Sequence, residues 1–83
     1  MIRVLFFASF RERLNSETES LEATGLTDVG SVLALLRQRG GLWNELFAEG
    51  QAVMMAVNQE MANPQTKLED GDELAFFPPV TGG

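Results

Sequence analysis

The chain has 83 residues, 45% of them hydrophobic and 22% charged, a balance that fits a small globular domain rather than a disordered or membrane-spanning chain. Six basic against twelve acidic side chains give a net charge of -6, which repels phosphate backbones and anionic lipid surfaces and argues against nucleic acid and membranes as partners. Neither cysteine nor histidine occurs, which removes thiolate nucleophiles, disulfides, the usual neutral-pH general base and the commonest metal ligands.

A domain of this size buries one core but encloses no sizeable pocket. Any substrate is therefore expected to be handled at its surface or by a partner protein. The opening "MIRVLFFASF" has an apolar run, Val4 to Ala8, that is too short for a signal sequence and runs into "RER" without a cleavage-type region. A cytoplasmic location is the resulting expectation.

From Ile2 to Phe7 the residues are β-branched, branched or aromatic and predict a strand. Arg3 lies on one face, so Ile2, Val4 and Phe6 are assigned to the core and Phe7 becomes an exposed aromatic at the strand end. Ala8 to Asn15 reads as a short helical turn, and "ETESLEA" as an edge strand. The main helix is "TDVGSVLALLRQRGG", where Thr27 is the expected cap, Asp28 faces the positive end of the dipole, and Val29, Val32, Leu33 and Leu36 recur at helical spacing. Gly40 and Gly41 are expected to stop it. Arg37 and Arg39, in its last turn, are explained by the dipole alone. Trp43, Leu46 and Phe47 follow in a short loop or turn that plugs the core.

"AVMMAVN", Ala52 to Asn58, reads as a strand apolar on both faces and hence central or well covered. A polar turn follows around Asn58 to Glu60, then loops, a turn at Asp70 and Gly71, and a last strand from Glu73 to Phe77. No repeat, linker or second domain is evident. The acidic run "EDGDE", Glu69 to Glu73, is either a solvated turn or a docking surface for a basic partner. The order of elements predicts an α+β domain of the β-grasp kind, a mixed sheet packed by one face on one main helix, covering residues 1–77. Residues 78–83 are expected to form an extended tail.

That tail, "PPVTGG", is the candidate for chemistry. After Glu73 no side chain is charged. Pro78 and Pro79 donate no ladder hydrogen bonds, so they end the sheet and stiffen the exit into an extended path. From Pro78 to Gly83, fully extended, it can reach roughly 20 Å at about 3.3 Å per residue. Val80 and Thr81 carry it outward, and Gly82 and Gly83, without Cβ atoms, let it thread a narrow channel. The terminal carboxylate is a poor acyl donor and needs activation, most simply by adenylation with ATP. "RGGLW" is no phosphate loop, lacking the lysine and the strand-loop-helix setting, so activation is expected from another protein. The alternative is a frayed terminus of no function.

"MIRVLFFASFRE", "AVNQE" and "GDELAFFPPVTGG" together resemble the small subunits of molybdopterin synthase, a family of ubiquitin-like sulfur carriers. The likeness spans the chain, is most specific at "FFPP", and is thin from Leu14 to Gln51; "SFRERLN" is more basic and aromatic than the family pattern. The resemblance implies a β-grasp fold whose Gly83 is adenylated by a ubiquitin-activating-like adenylyltransferase and converted to a thiocarboxylate. It implies that two small subunits insert their tails into a dimeric large subunit and supply the dithiolene sulfurs of molybdopterin. It also implies partner-facing roles for Phe7, Met61 and Phe77, which otherwise read as ordinary sheet residues. No cofactor is expected on the chain itself, ATP being used by the activating enzyme. Two alternatives stay open: sulfur delivery to thiazole or tRNA thiolation, and a protein modifier joined to target lysines through Gly83. The single lysine, Lys67, reads as a solvated surface residue.

Overall fold

In the computed structural model, which describes residues 1–79, the first strand β1 spans Ile2–Phe6. Its alternation works out as expected: Ile2, Val4 and Phe6 are fully buried and Arg3 is exposed. Phe7 stays extended (φ -120, ψ 160) and leads into helix α1, Ala8–Leu14. This helix ends at Asn15, whose left-handed backbone (φ 52) turns its N–H back to the Arg11 carbonyl, a conformation asparagine tolerates better than most residues. The expected edge strand is β2, Thr18–Leu21, antiparallel to β1. The basic "SFRERLN" segment is accounted for locally. Phe10 is buried in the core, Arg11 lies 3.8 Å from Glu17, and Arg13 lies 3.5 Å from Glu45.

Helix α2, Val29–Gln38, buries the four residues its spacing selects. Its cap is Asp28 rather than Thr27. Asp28 is itself extended, its Oδ1 accepts the Ser31 N–H at 2.8 Å, and its own N–H donates to Ser31 Oγ at 3.3 Å. This reciprocal pair satisfies two end groups at once, and the carboxylate also meets the helix dipole. Gly40 (φ 73) follows the end of α2, but Gly41 opens a third helix, α3, Gly41–Phe47, where a loop or turn was expected. Its seven residues are too few to show a period. Leu42 with Leu46 and Trp43 with Phe47, each four apart, still turn toward the core.

Strand β3, Met54–Val57, is shorter than the predicted Ala52 to Asn58. It turns through Asn58 and Gln59, both at positive φ (50 and 70), into β4, Glu60–Met61, a two-residue strand that the loop assignment missed. Two central residues at positive φ give the turn that matches strand twist. Asn58 Nδ2 donates to Asp72 Oδ1 at 3.0 Å and its Oδ1 accepts from Glu73 N–H at 3.0 Å. The second turn is as predicted: Asp72 N–H donates to the Glu69 carbonyl at 3.0 Å, and Gly71 supplies the positive φ of 96. The last strand, β5, is Glu73–Phe77.

The sheet is mixed, in the order β2-β1-β5-β3-β4, with β5 parallel to β1 and antiparallel to β3. One core holds it to the helices: Ile2, Val4, Phe6, Met55, Leu74 and Phe76 from the strands meet residues of all three helices. Phe47 from α3 sits at its centre, with ring centroids 5.3 Å from Phe76 and 5.4 Å from Phe10. At the rim, Arg39 lies 4.5 Å above the Trp43 ring and donates through Nη1 to Glu19 at 2.9 Å, tying β2 to the helical layer.

Candidate functional site

Strand register assigns side chains to the two faces of the sheet. Leu74 and Phe76, both fully buried, point to the helices. Ala75 and Phe77 therefore point away, and so do their neighbours by pairing: Leu5 opposite Ala75, Met54 opposite Phe77, Ala56 opposite Ala75 and Met61 opposite Ala56. Phe7 continues the alternation of β1 beyond Phe6, its N–H donating to the Phe76 carbonyl at 3.1 Å. The outer face is thus apolar across four strands. No helix of the described residues packs on it, since all three helices contribute to the core on the other side.

Exposure agrees with this assignment. Phe7 is 46% exposed, Met61 62% and Met54 37%, while Phe77 is half-buried. A scatter of single exposed apolar residues is ordinary, but a contiguous apolar patch marks an interaction site. Arg3 and Glu73 lie side by side at the far end of the face, 3.9 Å apart. The acidic turns at Glu69 to Asp72 sit at that end too, so the charged and apolar parts of the surface are segregated.

The sequence candidates Phe7, Met61 and Phe77 are brought together on this one face. Met54 belongs with them and was missed. The apolarity of "AVMMAVN" on both faces predicts a covered strand, whereas the face carrying Met54 is open. Apolarity at Met54 therefore does not go with burial, the residue being 37% exposed. Pro78 and Pro79 follow Phe77 directly and are half-buried. They lead the chain off the end of β5 at the edge of the patch. Val80, Thr81, Gly82 and Gly83 lie outside the described residues.

Elsewhere there is little chemistry to weigh. Among the described residues no charged or polar side chain is buried, and no three acidic, histidine or cysteine side chains gather in a metal-holding group. No described helix is long and apolar enough to cross a membrane. An open depression of about 550 Å³ beside α2 is lined by Leu33, Arg37, Phe47 and Met55. The Arg37 guanidinium there already donates to the Phe47 carbonyl, and the depression lies on the helix side of the sheet, away from the apolar face.

A family model, the ThiS family, matches residues 4–83. The chain belongs to the ThiS family. Among curated members of related sequence, the molybdopterin synthase sulfur carrier subunit of Haemophilus influenzae is 39% identical over 83 residues, covering 100% of both chains. Among solved structures, a complex of subunits 1 and 2 of the molybdopterin-converting factor from Helicobacter pylori contains a chain similar at TM-score 0.66 and 29% identity, over 99% of this chain and 97% of that one. The small archaeal modifier protein 1 of H. volcanii matches at TM-score 0.68 and 28% identity, over 95% of this chain and 97% of that one. The α+β arrangement with its mixed five-stranded sheet is the ubiquitin-like β-grasp of this ThiS-family group, as the sequence predicts.

Proposed function

We propose that the chain is the sulfur-carrier small subunit of a molybdopterin synthase. In this reading the fold presents two things on one strand. The outer face around Phe77 docks the partner, and the tail that follows delivers the reacting atom. Phe7, Met61 and Phe77, with Met54 beside them, form the docking face. Pro78 and Pro79 aim the exit, Val80, Thr81 and Gly82 thread the partner's channel, and the carboxylate of Gly83 is the reactive group.

The chemistry requires activation first. A ubiquitin-activating-like adenylyltransferase, using ATP, converts the Gly83 carboxylate to an acyl-adenylate; a sulfur nucleophile attacks the carbonyl, AMP departs, and a thiocarboxylate remains. Inserted into the large subunit, in an assembly of two small and two large subunits, that sulfur attacks the pterin precursor to form a thioester link, and water then cleaves the bond between sulfur and the Gly83 carbonyl, leaving the sulfur in the dithiolene and restoring the carboxylate. The chain itself binds no cofactor. Its own contribution is positional, and the glycines admit the carbonyl to sites where a Cβ would collide.

The observation that carries this reading is the full-length likeness to a sulfur carrier subunit, reaching through residue 83, on a fold whose tail-bearing strand also carries the apolar face. Intact-mass measurement of the chain incubated with an activating enzyme, ATP and a sulfur donor tests it. Exchange of one terminal oxygen for sulfur supports the proposal. The likeness to an archaeal modifier protein favours a second reading, attachment of Gly83 to lysines of other proteins. A ladder of heavier conjugates with no sulfur-bearing form would establish that reading instead.

A further inference from the structure

The docking face contains an unusual share of the chain's sulfur. With no cysteine, the four methionines are its only sulfur-bearing side chains, and two of them, Met54 and Met61, occupy the outer sheet face on either side of Ala56 in β3 and β4. Both residues are exposed, at 37% and 62%, while Met55, between them in sequence order and pointing to the core, is 7% exposed. Alternation along one strand therefore separates a reactive sulfur from a protected one. Leucine would fill the same volume without this reactivity.

We propose that Met61 and Met54 form a peroxide-sensitive modification site, and that their conversion to sulfoxide stops the chain docking its larger partner. This rests on the docking role given above to the face. In the reaction a sulfur lone pair attacks one peroxide oxygen. The S–O bond forms as the O–O bond breaks, the thioether is oxidised, and the second oxygen leaves as water, taking up the proton released by the first. A flexible apolar side chain becomes a polar one with a strong acceptor oxygen. Among the described residues β3, beneath Met54, has both backbone edges paired with β5 and β4, and the free N–H groups of the edge strand β4 lie in the plane of the sheet rather than rising from its face. Burying that oxygen against an apolar partner leaves it unpaired, which is unfavourable. The change is reversible by methionine sulfoxide reductases, so the site acts as a switch rather than as damage.

The test uses the full chain with its ordinary carboxylate terminus, because a thiocarboxylate also reacts with peroxide and because exchanging oxygen for sulfur and adding oxygen change the mass almost equally. The chain is exposed to dilute hydrogen peroxide, mapped by peptide mass, and titrated against a molybdopterin synthase large subunit. Oxygen is expected on Met61 and Met54 ahead of Met55, with the thermal melt still cooperative and affinity reduced by about tenfold or more, the scale of one unpaired buried polar group. Treatment with sulfoxide reductases restores it. In the Met54→Leu, Met61→Leu double variant the ratio of treated to untreated affinity stays at unity, whatever its starting value. Met1, 55% exposed at the far end beside Gly71, still oxidises there and serves as the control. Equal affinity of oxidised and untreated chain, or an equal loss in the double variant, overturns the proposal. Failure of the untreated chain to bind at all refutes the docking role itself.

Discussion

The two faces of the sheet share the same strands and both carry apolar side chains, the outer one with Arg3 and Glu73 at one end, yet they differ in how far those side chains are covered. On the inner face Val4, Phe6, Leu74 and Phe76 have no exposure at all and interlock with three helices. On the outer face Leu5, Ala75 and Phe77 are half-buried among their own neighbours, Met54 and Met61 are exposed, and no described helix covers them. The inner face explains why the chain folds. The outer face buries far less, and under the proposed function its exposed apolar side chains are the surface that docks the partner.

Substitutions separate the two faces most clearly. Phe76→Ala removes a buried ring in contact with Phe6 and Phe47 and is expected to cost about 3–5 kcal/mol of stability by chemical denaturation. The adjacent Phe77→Ala is expected to shift stability by less than about 1 kcal/mol. It weakens titrated binding to a large subunit by about 2 kcal/mol, in the manner of an interface aromatic. If neighbouring positions gave the opposite pattern, the assignment of faces would be wrong. Met61→Asp places a charge on the outer face and is expected to weaken docking by about tenfold or more while the melting temperature hardly moves.

Two smaller effects belong wholly to the helix side. Asp28→Ala removes the cap of α2 and is expected to cost about 1 kcal/mol with docking affinity unchanged. Glu19→Gln breaks the pair with Arg39, whose protonation that bond favours. Both partners are partly solvated, so the loss expected by denaturation is at most about 1 kcal/mol.

Much of this is legible in the amino-acid sequence, for identifiable reasons. The period-two pattern of β1 and the charge on Arg3 assigned its faces, and the spacing of Val29, Val32, Leu33 and Leu36 assigned α2. The turn at Asp70 and Gly71 and the limits of β5 were readable because Gly71 and Pro78 bracket the strand. What escaped detection was short. Helix α3 has fewer than two full periods of apolar residues and opens on Gly41, a residue that more often closes a helix. Strand β4 is two residues long and exists only because Asn58 and Gln59 turn it back on β3. The cap at Asp28 depended on Ser31 answering it three residues on, a local pair that Thr27, just before it and equally suited to capping, masked. Met54 was missed for a deeper reason: a strand apolar on both faces looks the same whether its second face is covered by the fold or reserved for another protein.

The most direct measurement of the central claim is dithiolene formation on the pterin precursor by a reconstituted pair, the large subunit with this chain chemically thiocarboxylated at Gly83. It is compared with a chain extended by one residue beyond Gly83 and thiocarboxylated at the new end. The prediction is product from the first and none from the second, with both chains docking equally because the outer face is unchanged. Product from the extended chain at the same rate, or none from either despite docking, would contradict a function in which the fold positions this one terminal carbonyl.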